Sequence, residues 1–472
     1  MNNNFTSKIN HYFRLQEHGT TIRTEMLAGL TTYVTIAYIL ILNPQILSDP
    51  FMITGDTDMA MRISGGVFIG TCLAAFIATI LTSLYAKLPF VQAPGMGLNA
   101  FFAYTVVLSM GYTYGQGLAI VFISGVILIL VTTIGLREAI IRAIPQSVKT
   151  AITPGVGLFI TIIGLKNSGL VVSNESTLVA LADFSQWRVP GADTDGMCGA
   201  LVALIGLIVI GALHSKGVRG SVFIGIIAAT LVGIPLGVTP LSALDFNIGG
   251  KFQDFADIAF MKMDFAGLFA GENTLDRIFS VFLLLISFSM VNLFDSVGTL
   301  LGAAKQSHLL DKNDELPRMK EAMMANAIST AAGAMLGTST VTTVVESSAG
   351  IAAGGRTGLT SLTTAFLFLA SLLLAPIVGI VPSAATASAL LFVGTLMLSN
   401  IKDVDFSNML DAIPSFCTII FMPFTYSIAN GIALGLITHC ILLLLSGKWK
   451  KINPLTAVVS LVFIIRYAFM SM

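Results

Sequence analysis

Apolar runs of about 18 residues or more, free of charge, recur along the whole of this chain, and each can cross a hydrocarbon layer of about 30 Å as a helix. A soluble domain covers its surface with charge, typically about 25% of its residues. Here only 11% of the 472 residues are Asp, Glu, Lys or Arg. The bilayer must therefore serve as solvent for most of the outside. In lipid every backbone N–H and C=O needs a partner within the protein, which leaves helices as the spanning elements. The chain reads as an all-α polytopic membrane protein.

The readable spans run from 25–47 to 454–470. The stretch 413–445 is too long for one crossing and contains Pro423, so it reads as two short segments, giving 14 or 15 spans in total. Residues 137–149 alternate basic and apolar positions, as a helix lying in the interface would. Basic residues set the orientation. A cytoplasmic N-terminus puts Lys8, Arg14, Arg23, Lys87, Arg137, Arg142 and Lys305 inside, and leaves Asp49, Asp56, Asp58 and Asp183 in outer loops. The plasma membrane is the expected location. The first 24 residues lack the apolar core of a signal peptide.

Several classes drop out. A net charge of zero argues against a nucleic-acid partner. Cys72, Cys198, Cys417 and Cys440 are too scattered for a disulfide framework or a metal set, and no cofactor is expected. No HExxH or GxSxG occurs, so no catalytic residues are assigned and the chain is not read as an enzyme. The run AGGRTG at 353–358 lacks the GK[ST] ending of a phosphate loop, and Gly66 with Gly70 reads as a helix-packing pair.

An internal repeat is visible. Residues 144–159 and 381–396 share Pro145/Pro382, Val156/Val393 and Gly157/Gly394 in one register. The spans at 91–109 and 341–353 are both interrupted. Seven spans separate the members of each pair, and an odd number makes the second half run in the opposite sense. The expectation is about 14 spans in two inverted seven-span repeats, with a short strand-plus-half-helix element at spans 3 and 10. In the first, residues 88–93 are extended and Pro94 opens the helix as its first residue. In the second, the β-branched run 339–345 leads into Glu346 and a short helix of small residues. Both half-helices should aim free N–H groups at a central cavity.

Asp295 lies well inside a span, where a carboxylate is costly unless it faces a cavity or shares a proton. Glu346 stands at the strand–helix junction and Asn99 one turn into the first half-helix. The bland alternatives are a hydrogen bond to a neighbouring helix for Asp295, dipole stabilisation for Glu346 and helix–helix glue for Asn99.

The segments QAPGMGLNAFFAY (Gln92–Tyr104), NLFDSVGTL (Asn292–Leu300), VVESSAGIAAGGRTGLT (Val344–Thr360) and PFTYSIANGIALG (Pro423–Gly435) closely resemble the AzgA-like purine permeases. These belong to the nucleobase–cation symporter family that also holds the uracil and xanthine permeases. The resemblance runs from about Phe13 to the C-terminus. It implies proton-coupled uptake of purine bases, hypoxanthine and guanine first, with sodium as the other candidate ion. It also implies an elevator-type movement of a core domain against a gate domain, and a homodimer. On this reading the core is 1–136 and 273–380, and the gate is 137–272 and 381–472. The resemblance carries substrate binding to Glu346, Asp295, Asn99 and Met96, and proton coupling to Asp295 and Glu346. Where uracil permeases have a basic residue one turn after the eighth-span acid, this chain has Thr299, so a ring other than uracil is expected. The alternatives are an adenine-preferring permease and an anion exchanger of the related sulfate-carrier architecture.

Overall fold

A computed structural model describes residues 2–135, 144–185, 195–241, 245–270, 274–306, 309–310 and 316–469. Among these residues, nine helical segments are long and apolar enough to cross a membrane, and four shorter apolar helices accompany them. The chain is a multi-pass helical membrane protein, as its composition demanded.

After an N-terminal helix α1 (Asn2–Phe13) come α2 (Ile22–Ile36), α3 (Ile39–Ile53) and α4 (Thr57–Leu81). Strand β1 (Gln92–Pro94) leads into the short helix α5 (Met96–Ala100), which continues to Ser109 at a wider pitch. Helices α6 (Tyr114–Ile134) and α7 (Gln146–Asn167) follow. A hairpin of β2 (Val171–Asn174) and β3 (Leu178–Leu181) precedes α8 (Asp195–Ser215) and α9 (Ser221–Gly233). The second half brings α10 (Thr274–Gln306), α11 (Met319–Met335), strand β4 (Val341–Thr343), the half-helix α12 (Ser347–Ala352) and α13 (Gly358–Ala370). It closes with α14 (Ser383–Leu398), α15 (Met409–Phe424), α16 (Ile428–Leu445) and α17 (Pro454–Phe469).

Strands β1 and β4 pair antiparallel with Gln92 opposite Thr343, Ala93 opposite Thr342 and Pro94 opposite Val341. All six residues are buried. The two interrupted elements thus meet and run in opposite directions, as an inverted repeat requires. The other repeat pair meets as well. Helices α7 and α14 start directly after Pro145 and Pro382, and they cross where a Cβ on Gly394 would stand 2.8 Å from the Gly157 carbonyl oxygen. Only glycine allows so close an approach of two backbones. Gly66 and Gly70 serve the same purpose, the latter against the Leu336 carbonyl, where an added Cβ would lie 2.2 Å away.

Several sequence expectations need correction. Pro94 closes the strand, and the helix begins at Met96 after Gly95. The first span is broken at Ala37–Tyr38, where Leu40 and Ile41 donate to carbonyls three residues back (3.2 and 3.1 Å). Helix α13 stops at Ala370 and tightens to a 3-10 helix over Ser371–Ile380. Of the expected interfacial helix, 137–143 lies outside the described residues, and from Gln146 the chain is already in α7. The stretch 413–445 does divide in two, between Phe424 and Ile428.

Glu25, unremarked in the sequence, holds the 353–360 turn. Its fully buried carboxylate accepts from the backbone N–H groups of Arg356 (2.8 Å), Thr357 (3.2 Å) and Thr360 (3.1 Å) and from the hydroxyls of Thr357 and Thr360. The glycine-rich turn is an anion cradle occupied by the protein's own carboxylate. Arg356 folds back to donate to the Ile351 carbonyl (2.6 Å), which caps the end of α12. Glu25→Ala should leave at least three buried donors unpaired, each costing about 1–3 kcal/mol. The expected result is a thermal midpoint in detergent lower by several degrees, with Glu25→Gln in between because one carbonyl acceptor remains.

Candidate functional site

The site is built on the strand pair. Irregular backbone at this depth needs partners from the protein, and β1 and β4 supply them to each other. The Gly95 N–H donates to the Thr340 carbonyl (3.1 Å) and the Val344 N–H to the Val91 carbonyl (3.1 Å), which extends the ladder at both ends. Behind it, Asn326 accepts from the Thr343 N–H (3.1 Å) and donates to Asn292 (2.8 Å), while Asn292 donates to Thr330 (2.8 Å). Neutral amides thus fasten the strands to α10 and α11.

Asp295 and Glu346 come together at this centre. Asp295 is half-buried on α10, which touches both β4 and α12, the two elements on either side of Glu346. Among the described residues no side chain donates a hydrogen bond to Asp295. Glu346, also half-buried, is the residue before α12 and makes no capping bond. It accepts instead from the Tyr38 hydroxyl at 2.6 Å. Tyr38 is 3% exposed and sits at the break between α2 and α3. The sequence reading missed it. The available signal was a phenol inside an apolar span, one of two there with Tyr33, whose hydroxyl must find a partner at that depth.

The two half-helices differ in what they offer. At α12 the N–H groups of Ser347, Ser348 and Ala349 are taken by carbonyls three residues back (3.0–3.2 Å), so the free donors expected there are absent. At α5 the N–H groups of Met96, Gly97 and Leu98 have no acceptor among the described residues. The unclaimed donors at this centre are therefore those of α5, and the acceptors are the carboxylates of Asp295 and Glu346. Met96 and Thr299 are each 8% exposed, Met96 at the start of α5 and Thr299 one turn beyond Asp295. Asn99 is fully buried and donates to Asn43 on α3, whose own amide donates to Thr71 (2.7 Å) and Thr338 (2.8 Å). This orients Asn99 and leaves its Oδ1 without a protein partner.

Asp49 is not in an outer loop. It lies in α3, half-buried, and accepts from the Tyr104 hydroxyl and from Asn167 (2.7 Å). With Thr105 donating to the Tyr426 carbonyl, it ties the element that carries α5 to α7 and to the turn before α16.

One acid thus lies on the continuous helix α10 and the other at a broken span, and sequence comparison says what kind of membrane protein carries them. Residues 23–434 match the model of the Xan_ur_permease family, described as a permease family. The chain belongs to this permease family. It is similar to the adenine permease AdeQ of Escherichia coli strain K12, 38% identical over 98% of this chain and 97% of that protein. It is equally similar to the guanine/hypoxanthine permease PbuG of Bacillus subtilis strain 168, 38% identical over 97% of this chain and 99% of that one. Among solved structures, the transmembrane domain of the cyanobacterial bicarbonate transporter BicA shares the fold (TM-score 0.60, 15% identity, 87% of this chain and 96% of that one). The chain is a transporter and not an enzyme.

Tyr38→Phe keeps the ring and removes one hydrogen bond to a charged group, worth about 1.5–3 kcal/mol. The initial uptake rate of the reconstituted permease should fall about tenfold or more, with thermal stability near that of the parent. Unchanged uptake would take Tyr38 out of the site.

Proposed function

We propose that this permease takes up purine nucleobases, hypoxanthine and guanine foremost, together with protons. The observation that carries the reading is that α10, which bears Asp295, packs against β4 and α12 on either side of Glu346 and also against α5, where the N–H groups of Met96, Gly97 and Leu98 are unclaimed. An oxopurine presents ring N–H donors next to a carbonyl and ring-nitrogen acceptors. The carboxylates take the donors, and the α5 N–H groups with Asn99 serve the acceptors. Met96 packs on the ring, and Thr299 lines the pocket one turn beyond Asp295. The relatives named as guanine/hypoxanthine permeases support this choice.

Adenine is the second reading. The similarity to adenine permeases is as high, and adenine also combines donors with ring acceptors. Anion exchange on this architecture is less well supported, because two carboxylates would repel an anionic substrate. Competition of labelled hypoxanthine uptake by a panel of bases separates the purines.

In this proposal the core, 1–136 and 273–380, moves as an elevator against the gate, 137–272 and 381–472, in each protomer of a homodimer. The protein sits in the plasma membrane with its N-terminus in the cytoplasm. Asp295, set in the apolar helix α10 with no donor among the described residues, carries the proton. Uptake should therefore rise as external pH falls and collapse when an uncoupler dissipates the gradient. Uptake that ignores both and requires sodium would reassign the coupling.

Asp295→Asn and Glu346→Gln preserve shape but turn one acceptor oxygen into an NH₂ donor facing the purine's N–H. Where the residue touches the base, affinity should drop by about 2–3 kcal/mol, roughly 30- to 150-fold, in a detergent binding assay that needs no gradient. Glu346→Gln is expected to lose binding. Asp295→Asn is expected to bind and exchange but not to concentrate substrate. Near-normal accumulation by either variant would remove that residue from the site.

A further inference from the structure

A cavity of about 370 Å³, whose lining includes neither Asp295 nor Glu346, lies between α6 and α10 on one side and α16 and α17 on the other. Its walls include Leu128, Val131, Leu285, Met290, Leu436 and Val459. The polar side chains in its wall are Ser289 and Thr456, and the Ser289 hydroxyl already pairs with that of Ser124 (3.2 Å). A purine would find no partners here for its polar edge, and burying that edge unpaired is unfavourable. A cleft of this kind inside a bilayer is filled by hydrocarbon, because a void forfeits dispersion contacts along its whole lining.

The approach to the cavity gives the occupant its charge. Leu455 and Thr456 line the cavity at the first turn of α17, directly after the exposed run Lys448, Trp449, Lys450 and Lys451. Asn453 fixes that turn by accepting from the Leu455 N–H (2.9 Å). The Trp449 ring is 60% exposed, with the Lys450 ammonium 5.7 Å from its centre, a pairing suited to the level of lipid headgroups. Among the described residues none of these three lysines has a carboxylate within ion-pair distance. Unpaired lysines at a membrane face attract anionic headgroups.

We propose that the cleft between α6, α10, α16 and α17 holds an acyl chain of an anionic phospholipid whose headgroup rests on Lys448, Lys450 and Lys451. The hydrocarbon alone gains little by leaving the bilayer for an equally apolar cleft. Selectivity therefore comes from the lysines, and the cavity fixes where the chain goes. On the core-and-gate reading proposed above, the four helices belong to both bodies, so such a lipid would stand where they slide. Binding itself does not depend on that reading.

Trp187 and Trp449 are the two tryptophans of the chain. Trp187→Phe therefore leaves Trp449 as a fluorescent reporter beside the lysines. The full-length variant is reconstituted in vesicles of phosphatidylcholine and phosphatidylglycerol, with bromine on the acyl chains of one lipid or the other. Brominated phosphatidylglycerol should quench Trp449 with a relative binding constant roughly tenfold above that of brominated phosphatidylcholine. Lys448→Gln with Lys450→Gln and Lys451→Gln should erase the preference. Leu285→Phe with Val459→Phe, which fills the cleft, should lower the phosphatidylglycerol retained through purification while base binding in detergent persists. Equal quenching by the two lipids would overturn the proposal, as would a preference that survives the lysine changes. Retention indifferent to the filled cleft would overturn it too. So would disulfide cross-linking of two copies through Val458→Cys, which would assign this face to a second copy.

Discussion

A backbone N–H or C=O left unpaired in hydrocarbon costs several kcal/mol, and this rule governs the centre of the molecule. A transporter needs backbone and charge at mid-depth, where helices alone would hide the former and lipid would expel the latter. The antiparallel pairing of Gln92–Pro94 with Val341–Thr343 meets both demands. It satisfies the irregular backbone of each broken span with the other. It also brings the start of two half-helices to one place, facing the acid on α10. If the pairing slipped by one residue, the strand faces would exchange, and the Asn326 anchor at the Thr343 N–H would be lost.

Close backbone approach is the second means of holding the fold. Between apolar helices in lipid there is little hydrophobic gain, so contact depends on shape and on hydrogen bonds. Gly157 against Gly394, Gly66 and Gly70 against the segments beside them, and Gly350 against Thr32 all supply shape. Hydroxyl and amide side chains supply the bonds, from Asn43 with Thr71 and Thr338 to Glu25 in the 353–360 turn. Charge is kept for few places. Glu25 is consumed by structure, Asp49 ties α3 to α5 and α7, and Asp295 with Glu346 makes up the candidate site.

Much of this was legible before the structure. The spans, the broken elements at 91–109 and 341–353, and the repeat register of Pro145 with Pro382 and Gly157 with Gly394 follow from residue type and spacing alone. The candidacy of Asp295 and Glu346 rests on the same kind of local reading, because an ionisable group at membrane depth is costly. The side chains that pair across long sequence distance were not legible. Tyr38 and Glu346 stand 308 residues apart, and Glu25 and Thr360 stand 335 apart.

The sequence by itself determined that this chain lives in a bilayer and where it must break its helices. Those properties are local, since hydropathy, a proline or a β-branched run acts within a few residues. The tertiary structure decided which partners each acid meets. It gave Glu25 to the 353–360 turn and Glu346 to the Tyr38 hydroxyl, placed the free donors at α5 and not at α12, and broke the first span at Tyr38. The partners of Glu25 and Glu346 arrive from the other half of the chain, and no spacing along the sequence records them.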